Sequence, residues 1–320
     1  MSTNNFITSK QLSDMQIKEP TWYINEILPE GITLVIAKPK VGKSALILYL
    51  MIQIALNNKI WDTFETQQVK ILYLPYDDPM RRLRDRLHRI CEAKNITDLN
   101  LLNSLSVYDK ERLKKISIDG NVQELFTSFR DAGYKLIIID TLNQGVKFAH
   151  YDSNVYNNDY QNMSMLKEAA DRLGLSIIII HHEKKGEKTD SIDAASGSAG
   201  ITAAVDTIWR LTDYDIEKCK KLEIKGKDVE SNTYKIQMEA NTFICTLDKT
   251  ASPELDAIHL SPEQKEIDEH LKSSDQELSS KDIAYYLNKS QSTVSQILRK
   301  LEKKGLAISP HYGKWKSKAK

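Results

Sequence analysis

The stretch Ile32-Thr33-Leu34-Val35-Ile36-Ala37-Lys38-Pro39-Lys40-Val41-Gly42-Lys43-Ser44 decides how the rest of this 320-residue chain is read. Ile32 to Ile36 is a short β-branched run that suits a buried strand, and the apolar stretch beginning at Ala45 suits a helix over Lys43 to Asn57. The eight residues Ala37 to Ser44 follow the spacing G-x-x-x-x-G-K-[ST], with Ala37 where the first glycine usually stands. A strand, a tight loop and a helix in that order turn backbone N–H groups and a helix N-terminus inward on an anion. Gly42 permits close approach, and a Cβ at Ala37 is tolerable while its φ stays negative.

The pattern therefore predicts a phosphate cradle built from Ala37, Lys38, Pro39, Lys40, Val41, Gly42, Lys43, Ser44 and Ala45, with ATP and Mg²⁺ as the expected ligands. Lys43 supplies a point charge for the β- and γ-phosphates, and Ser44 a hydroxyl for the metal. The bland alternative is a glycine turn beside an exposed lysine. A second acidic position is expected to hold a metal-bound water, and Leu136-Ile137-Ile138-Ile139-Asp140 supplies one at the carboxyl end of an apolar strand. Asp140 could equally cap whatever follows it.

Working outward, further strand-length runs occur at Ile71 to Leu74 and Ser176 to Ile180. Helical patterns lie between, at Met80 to Ala93, Val122 to Ala132 and Ser164 to Leu173. This alternation predicts an α/β core, a mostly parallel sheet with helices on both faces. Thr207 to Leu211, then Thr233 to Met238 and Phe243 to Leu247, are expected to extend it with an antiparallel edge.

On these segments the chain resembles a RecA-like ATPase of the group that includes the RepA-type hexameric replicative helicases of plasmids and mobile elements. The resemblance spans about residues 21 to 250. It rests on Trp22-Tyr23 to Leu28-Pro29, the Pro39 to Ser44 loop, Ile71 to Asp78, Ile138-Ile139-Asp140, His181-His182-x-x-Lys185, and Gly197-Ser198 leading to Ala204-Val205-Asp206. It implies that Asp77 stands where the family has a glutamate that polarises the attacking water; Asp78 is the alternative, and acids opening a helix before Pro79 the structural reading. It also implies that His182 senses the γ-phosphate, although a histidine can simply end a strand. Metal binding by His181 and His182 is disfavoured, because neighbours on a strand face opposite ways. The polar stretches Asn143 to Asn162, with Tyr151, Tyr156 and Tyr160, and Glu183 to Ser198 would be loops facing single-stranded DNA in a ring channel. Lys147, Lys184, Lys185 and Lys188 would meet phosphates there and tyrosines would stack on bases; ordinary surface loops are the alternative. The family's trans-acting arginine position is Ser196 here, leaving Lys184, Lys185 or Arg210 as possible substitutes. A homo-oligomer, by resemblance a hexamer, is implied.

The last 38 residues carry nine basic side chains and one acid, net +8; with 45 basic and 44 acidic residues in all, the first 282 hold a net −7. A basic end on an acidic protein points to a polyanion. Its pattern, helices over Pro262 to Leu271, Lys281 to Leu287 and Gln291 to Lys304 followed by a wing, resembles a winged helix-turn-helix that would bind duplex DNA. Gln291, Ser292, Thr293, Ser295, Gln296 and Arg299 would face bases or phosphates, and Lys314, Lys316 and Lys318 the backbone. Protein docking is the alternative use of such a module. The expected organisation is an arm over 1–20, an ATPase domain over 21–250, a linker over 251–261 and the winged helix over 262–320. No apolar run reaches the length of a membrane span, the start lacks a signal-peptide pattern, and Cys91, Cys219 and Cys245 lack metal-site spacing; a reducing cytoplasm is expected. The alternative to a motor is a DNA-binding ATPase that loads, switches or regulates without unwinding.

Overall fold

A computed structural model describes residues 6–16, 19–149, 153–183, 199–214, 219–248, 262–274, 276–303, 306–311 and 313–318. The chain divides into two compact units, Met1–Asp248 and Lys249–Lys320. In the first, the described elements run α1 (Ser9–Asp14), β1 (Trp22–Ile24), β2 (Leu28–Pro29), β3 (Ile32–Ala37), α2 (Lys43–Ala55), β4 (Ile71–Pro75), α3 (Met80–Ala93), β5 (Leu105–Val107), β6 (Ile116–Ser117), α4 (Val122–Asp131) and β7 (Leu136–Asp140). They continue with α5 (Leu142–Gly145), β8 (Val146–Lys147), α6 (Val155–Leu173), β9 (Ser176–His182), α7 (Ala199–Ala203), β10 (Thr207–Asp213), β11 (Cys219–Gly226), β12 (Asn232–Met238) and β13 (Cys245–Leu247).

Among the described residues the main sheet has nine strands, in the order β13-β12-β11-β10-β3-β9-β7-β4-β5. The six from β10 to β5 are parallel, and β11, β12 and β13 add the antiparallel edge. Because side chains alternate along a strand, each central strand feeds two cores. Val35, Tyr73, Ile138, Ile178 and Ile180 pack on one face with α2, while Leu34, Leu74, Ile139, Ile177 and Ile179 pack on the other with α4 and α6. Helix α2 is buried at every position but Ser44, since it lies under the sheet's centre with neighbours all round.

The expected fold class holds, with local differences. Helix α6 begins nine residues before Ser164, because Asn154 caps it through bonds to the N–H groups of Tyr156 and Asn157. The stretch Asn143 to Asn162 is therefore not one loop: it contains α5, β8 and the first two turns of α6. Tyr156 and Tyr160 sit on that helix, stacked 6.4 Å apart. Strand β11, unanticipated, joins β10 to β12. The last strand starts at Cys245, later than expected, because Phe243 turns through a positive φ of 59°.

The second unit contains α8 (Pro262–Ser273), β14 (Leu278–Ser279), α9 (Ser280–Tyr286), α10 (Gln291–Lys303), β15 (Ala307–Ile308) and β16 (Lys314–Ser317). Ser279 caps α9 in a reciprocal capping box with Asp282. Ile267, Leu271, Ile283, Val294, Leu298, Leu301 and Trp315 close one core, and β14-β16-β15 form the wing's small sheet. Tyr151, Lys184, Lys185, Lys188, Ser196, Gly197, Ser198 and the 251–261 linker lie outside the described residues.

Candidate functional site

The site grows from the carboxyl ends of β3, β9, β7 and β4, which lie side by side. Ala37 ends β3 between His182 and Leu211, and its φ is not positive, so its Cβ is accommodated as extended backbone. Lys38, Pro39 and Lys40 are exposed, Lys40 at φ 68°, and Val41 and Ala45 are buried. Gly42 stands at φ 106° before α2, a conformation that a side chain would strain. A Cβ there would also come within 3.0 Å of Met238 Cε. Gly42 gives α2 no side-chain cap, so the helix's leading N–H groups face the cleft without one.

Strand parity then selects among the polar residues. On β9, Ile178 and Ile180 face α2, so His182 faces it too and His181 faces away. Lys43, only 5% exposed, places Nζ 2.9 Å from His182 Nδ1. An ammonium can only donate, so Nδ1 accepts and Nε2 carries the imidazole's hydrogen. That nitrogen points toward Asp77 Oδ2 at 3.9 Å. Burial, and next the Lys43 charge, hold the His182 pKa below its usual value. Burial lowers the Lys43 pKa, opposed by Asp140, Asp77 and Asp78.

Asp140 is 1% exposed at the end of β7, and Tyr73 donates to its Oδ2 at 2.5 Å. Burial raises its pKa against the Tyr73 and Ser44 hydroxyls. Ser44 lies near enough to act on this carboxyl, but Oδ1 is buried with no partner in hydrogen-bonding geometry. A buried carboxylate oxygen with unused acceptor capacity suits a hydrogen bond from a metal-held water. Asp77 and Asp78 separate in role: Asp78 is buried and paired with Arg82 and Arg86, whereas the Asp77 side chain is 51% exposed and faces His182. The alternative assignment to Asp78 is thus disfavoured by its ion pairs.

Together these groups line a cleft of about 560 Å³, with Met238, Glu239 and Phe243 on its far wall. Sequence reasoning missed that wall, as well as Tyr73, Arg82 and Arg86. Tyr73 is the one polar residue inside an apolar strand, and Arg82 and Arg86 stand one and two turns after Asp78, both legible signals. Arg210 is corrected: it is buried, with Nη2 2.8 Å from Glu183 Oε1 and Nη1 4.0 Å from Glu223 Oε2, so its own chain's acids claim it. Lys147 is exposed at the end of β8.

In the second unit, Gln291, Ser292, Gln296 and Arg299 are exposed on the side of α10 opposite Val294, Ile297, Leu298 and Leu301. Ser295 is half-buried. Thr293 is half-buried and engaged with Ser290, donating its N–H at 3.1 Å and sharing a 2.7 Å hydroxyl bond, so its first role is to secure the helix start. Lys314 and Lys318 are exposed and Lys316 half-buried.

A family model described as "AAA domain" matches residues 5–188, and one described as "Bacterial regulatory protein, arsR family" matches residues 261–309. Among solved structures, one described as an isolated ATPase domain is similar at TM-score 0.53 and 14% identity, over 68% of this chain and 84% of that one. "The Structure Of A DnaB-Like Replicative Helicase And Its Interactions With Primase" is similar at TM-score 0.53 and 15% identity, over 70% of this chain and 59% of that one. At such identities the likeness is one of fold. Among the described residues no helix is long and apolar enough to cross a membrane.

Proposed function

The chain belongs to the AAA-domain family, and from that premise we propose that it is an ATP-driven DNA motor resembling the RepA-type replicative helicases of plasmids and mobile elements. The observation that carries this reading is the Lys43–His182 contact beside Asp77 and Asp140, at the head of a buried helix. Residues 37–45 would hold the phosphates, and Ser44 with Asp140 the Mg²⁺ and its water, the metal supplying charge neutralisation on the phosphates. Among the described residues there is no all-protein metal cluster; Mg²⁺ is typically held by one or two carboxylates together with phosphates. Asp77 would polarise the attacking water, and His182 would register the terminal phosphate. ATP would be hydrolysed between protomers of a cytoplasmic homo-oligomer, a hexamer in the RepA pattern.

Single-stranded DNA would meet Lys147, Lys184 and Lys185, and duplex DNA would meet Gln291, Ser292, Thr293, Gln296, Arg299, Lys314 and Lys316. Support for the second contact is the +8 charge of the last 38 residues and the exposed face of α10. ATP turnover measured with and without single-stranded DNA, over a range of protein concentrations, tests the reading. Stimulation that rises with protein concentration is expected, and turnover indifferent to any DNA would sink it.

A loader or switch that hydrolyses ATP without unwinding is the second reading. Asp77, one methylene shorter than glutamate and 3.9 Å from His182, favours it, because misplacement of about 1 Å can cost on the order of 10²-fold. Strand displacement on a forked duplex separates the two.

The electrostatics also fix a pH response. Between the lowered His182 pKa and the usual value of about 6.5, the unfolded chain binds the proton first, so acid removes stability across that window. Protonated His182 can no longer accept from Lys43, and the two cations repel. Turnover is therefore expected to fall on the acid side of neutrality, and His182→Asn to flatten that limb while lowering the plateau. Asp140, whose pKa is raised, leaves a residual acid limb in the variant. An unaltered acid limb in His182→Asn would refute the assignment.

A further inference from the structure

The turn between β4 and α3 holds two guanidiniums on one carboxylate. Arg82 Nη1 donates to Asp78 Oδ1 at 2.7 Å, and Arg86 donates to Oδ2. One carboxylate cannot neutralise both, so the cluster carries an excess positive charge, and both arginines line the same cleft as Lys43, Ser44, Asp77 and His182. The turn is fixed from below: Lys110 Nζ donates to the carbonyls of Asp77 and Asp78 at 3.3 and 2.9 Å, and the Asp77 N–H donates to Asp140 O at 2.9 Å. The Arg86 side chain is 19% exposed, whereas that of Arg82 is 55% exposed and keeps most of its donors free of Asp78.

We propose that Arg82 is the guanidinium that meets the terminal phosphate of the nucleotide, supplied by the protomer that holds the phosphate loop, with Asp78 and Arg86 as positioning residues. The proposal rests on the reading of the cleft as an ATP site. Three observations converge on it. A planar fork matches phosphate oxygens two at a time, which the Lys43 ammonium cannot do. The excess charge of the cluster suits the additional charge that distinguishes a triphosphate from a diphosphate. Ser196 occupies the position of the arginine that the resemblance would place across a subunit boundary, and Arg210 is claimed by Glu183 and Glu223. A guanidinium presented from the chain's own helix fills the same electrostatic need without a neighbour.

Calorimetry on the full-length chain, with Mg²⁺ and either ADP or a non-hydrolysable ATP analogue, tests this. In Arg82→Ala the analogue should bind about tenfold more weakly, while the ADP affinity should stay within roughly twofold, the error scale of a remote contact. Turnover should fall by about 10³-fold. Arg82→Lys should recover part of the analogue's affinity and little of the turnover. Mixed oligomers of Arg82→Ala and Lys43→Ala chains should remain inactive, because each site keeps one defect. Recovery on mixing would place the arginine across the interface and overturn the proposal, as would equal weakening of ADP and analogue, or no change in either. Arg82→Gln, conservative at a largely exposed position, gives the same readout if the alanine variant misfolds. Should the unaltered chain bind neither nucleotide, the ATP reading itself fails; loss of binding in Lys43→Ala with none in Arg82→Ala removes this assignment alone.

Discussion

Lys43→Ala is expected to lower ATP turnover by about 10²–10³-fold, the effect of removing one preorganised charge from a low-dielectric site, and to weaken nucleotide binding in parallel. The ammonium is buried, close to three carboxylates that oppose the loss of its proton, and it donates to His182. Deleting it removes a contact to the phosphates and also the donor that fixes the His182 tautomer. The fold should survive, because alanine is the best helix former and the lysine opens α2 without serving its core. Far-ultraviolet circular dichroism separates the two effects: an unchanged spectrum with lost turnover is the expected pair. A variant that hydrolyses ATP at close to the parental rate would remove the phosphate loop from the mechanism, and with it the motor.

Trp315→Ala should unfold the second unit. Trp315 lies on β16, opposite Leu278, and is 9% exposed in a core closed by Leu298, Leu301 and Ile283. Truncating a buried tryptophan costs about 3–5 kcal/mol. Domains below about 70–80 residues seldom have more than about 3–5 kcal/mol from their core, so the loss is comparable with the whole. Hydrogen exchange on the full chain should show protection vanishing over Ile283 and Leu298 while it persists along β3 and β9. Duplex DNA affinity should fall to that of the remaining chain. Retained protection across α10 would show that the wing is not part of this core.

How far the sequence could be read depends on the range of the interaction concerned. β3, β4, β7 and β9 were legible because each is a short run of Ile, Leu or Val bounded by polar residues, and a strand buried on both faces has to be so composed. The phosphate loop was legible because its geometry requires a glycine at one fixed distance from a lysine. The start of α6 was not, since Asn154 acts through two backbone N–H groups and leaves no apolar periodicity. β11 was hidden for a related reason: Lys220, Lys221, Glu223 and Lys225 make it look like a solvated loop until it is paired on both sides. At the site, parity along β9 distinguishes His182 from His181, yet the parity acquires meaning only once α2 is known to cover that face. Asp77 and Asp78 are adjacent and chemically alike, and what separates them is a pair of arginines four and eight residues away.

Helix α2 is at once the floor of the cleft and the middle of the main core. Ligand free energy gained at its first turn is therefore shared with the packing of every strand it touches. At a hundred times the dissociation constant, that is about 2.7 kcal/mol, felt as cooperative resistance to melting of the whole Met1–Asp248 body and not as the stiffening of one loop.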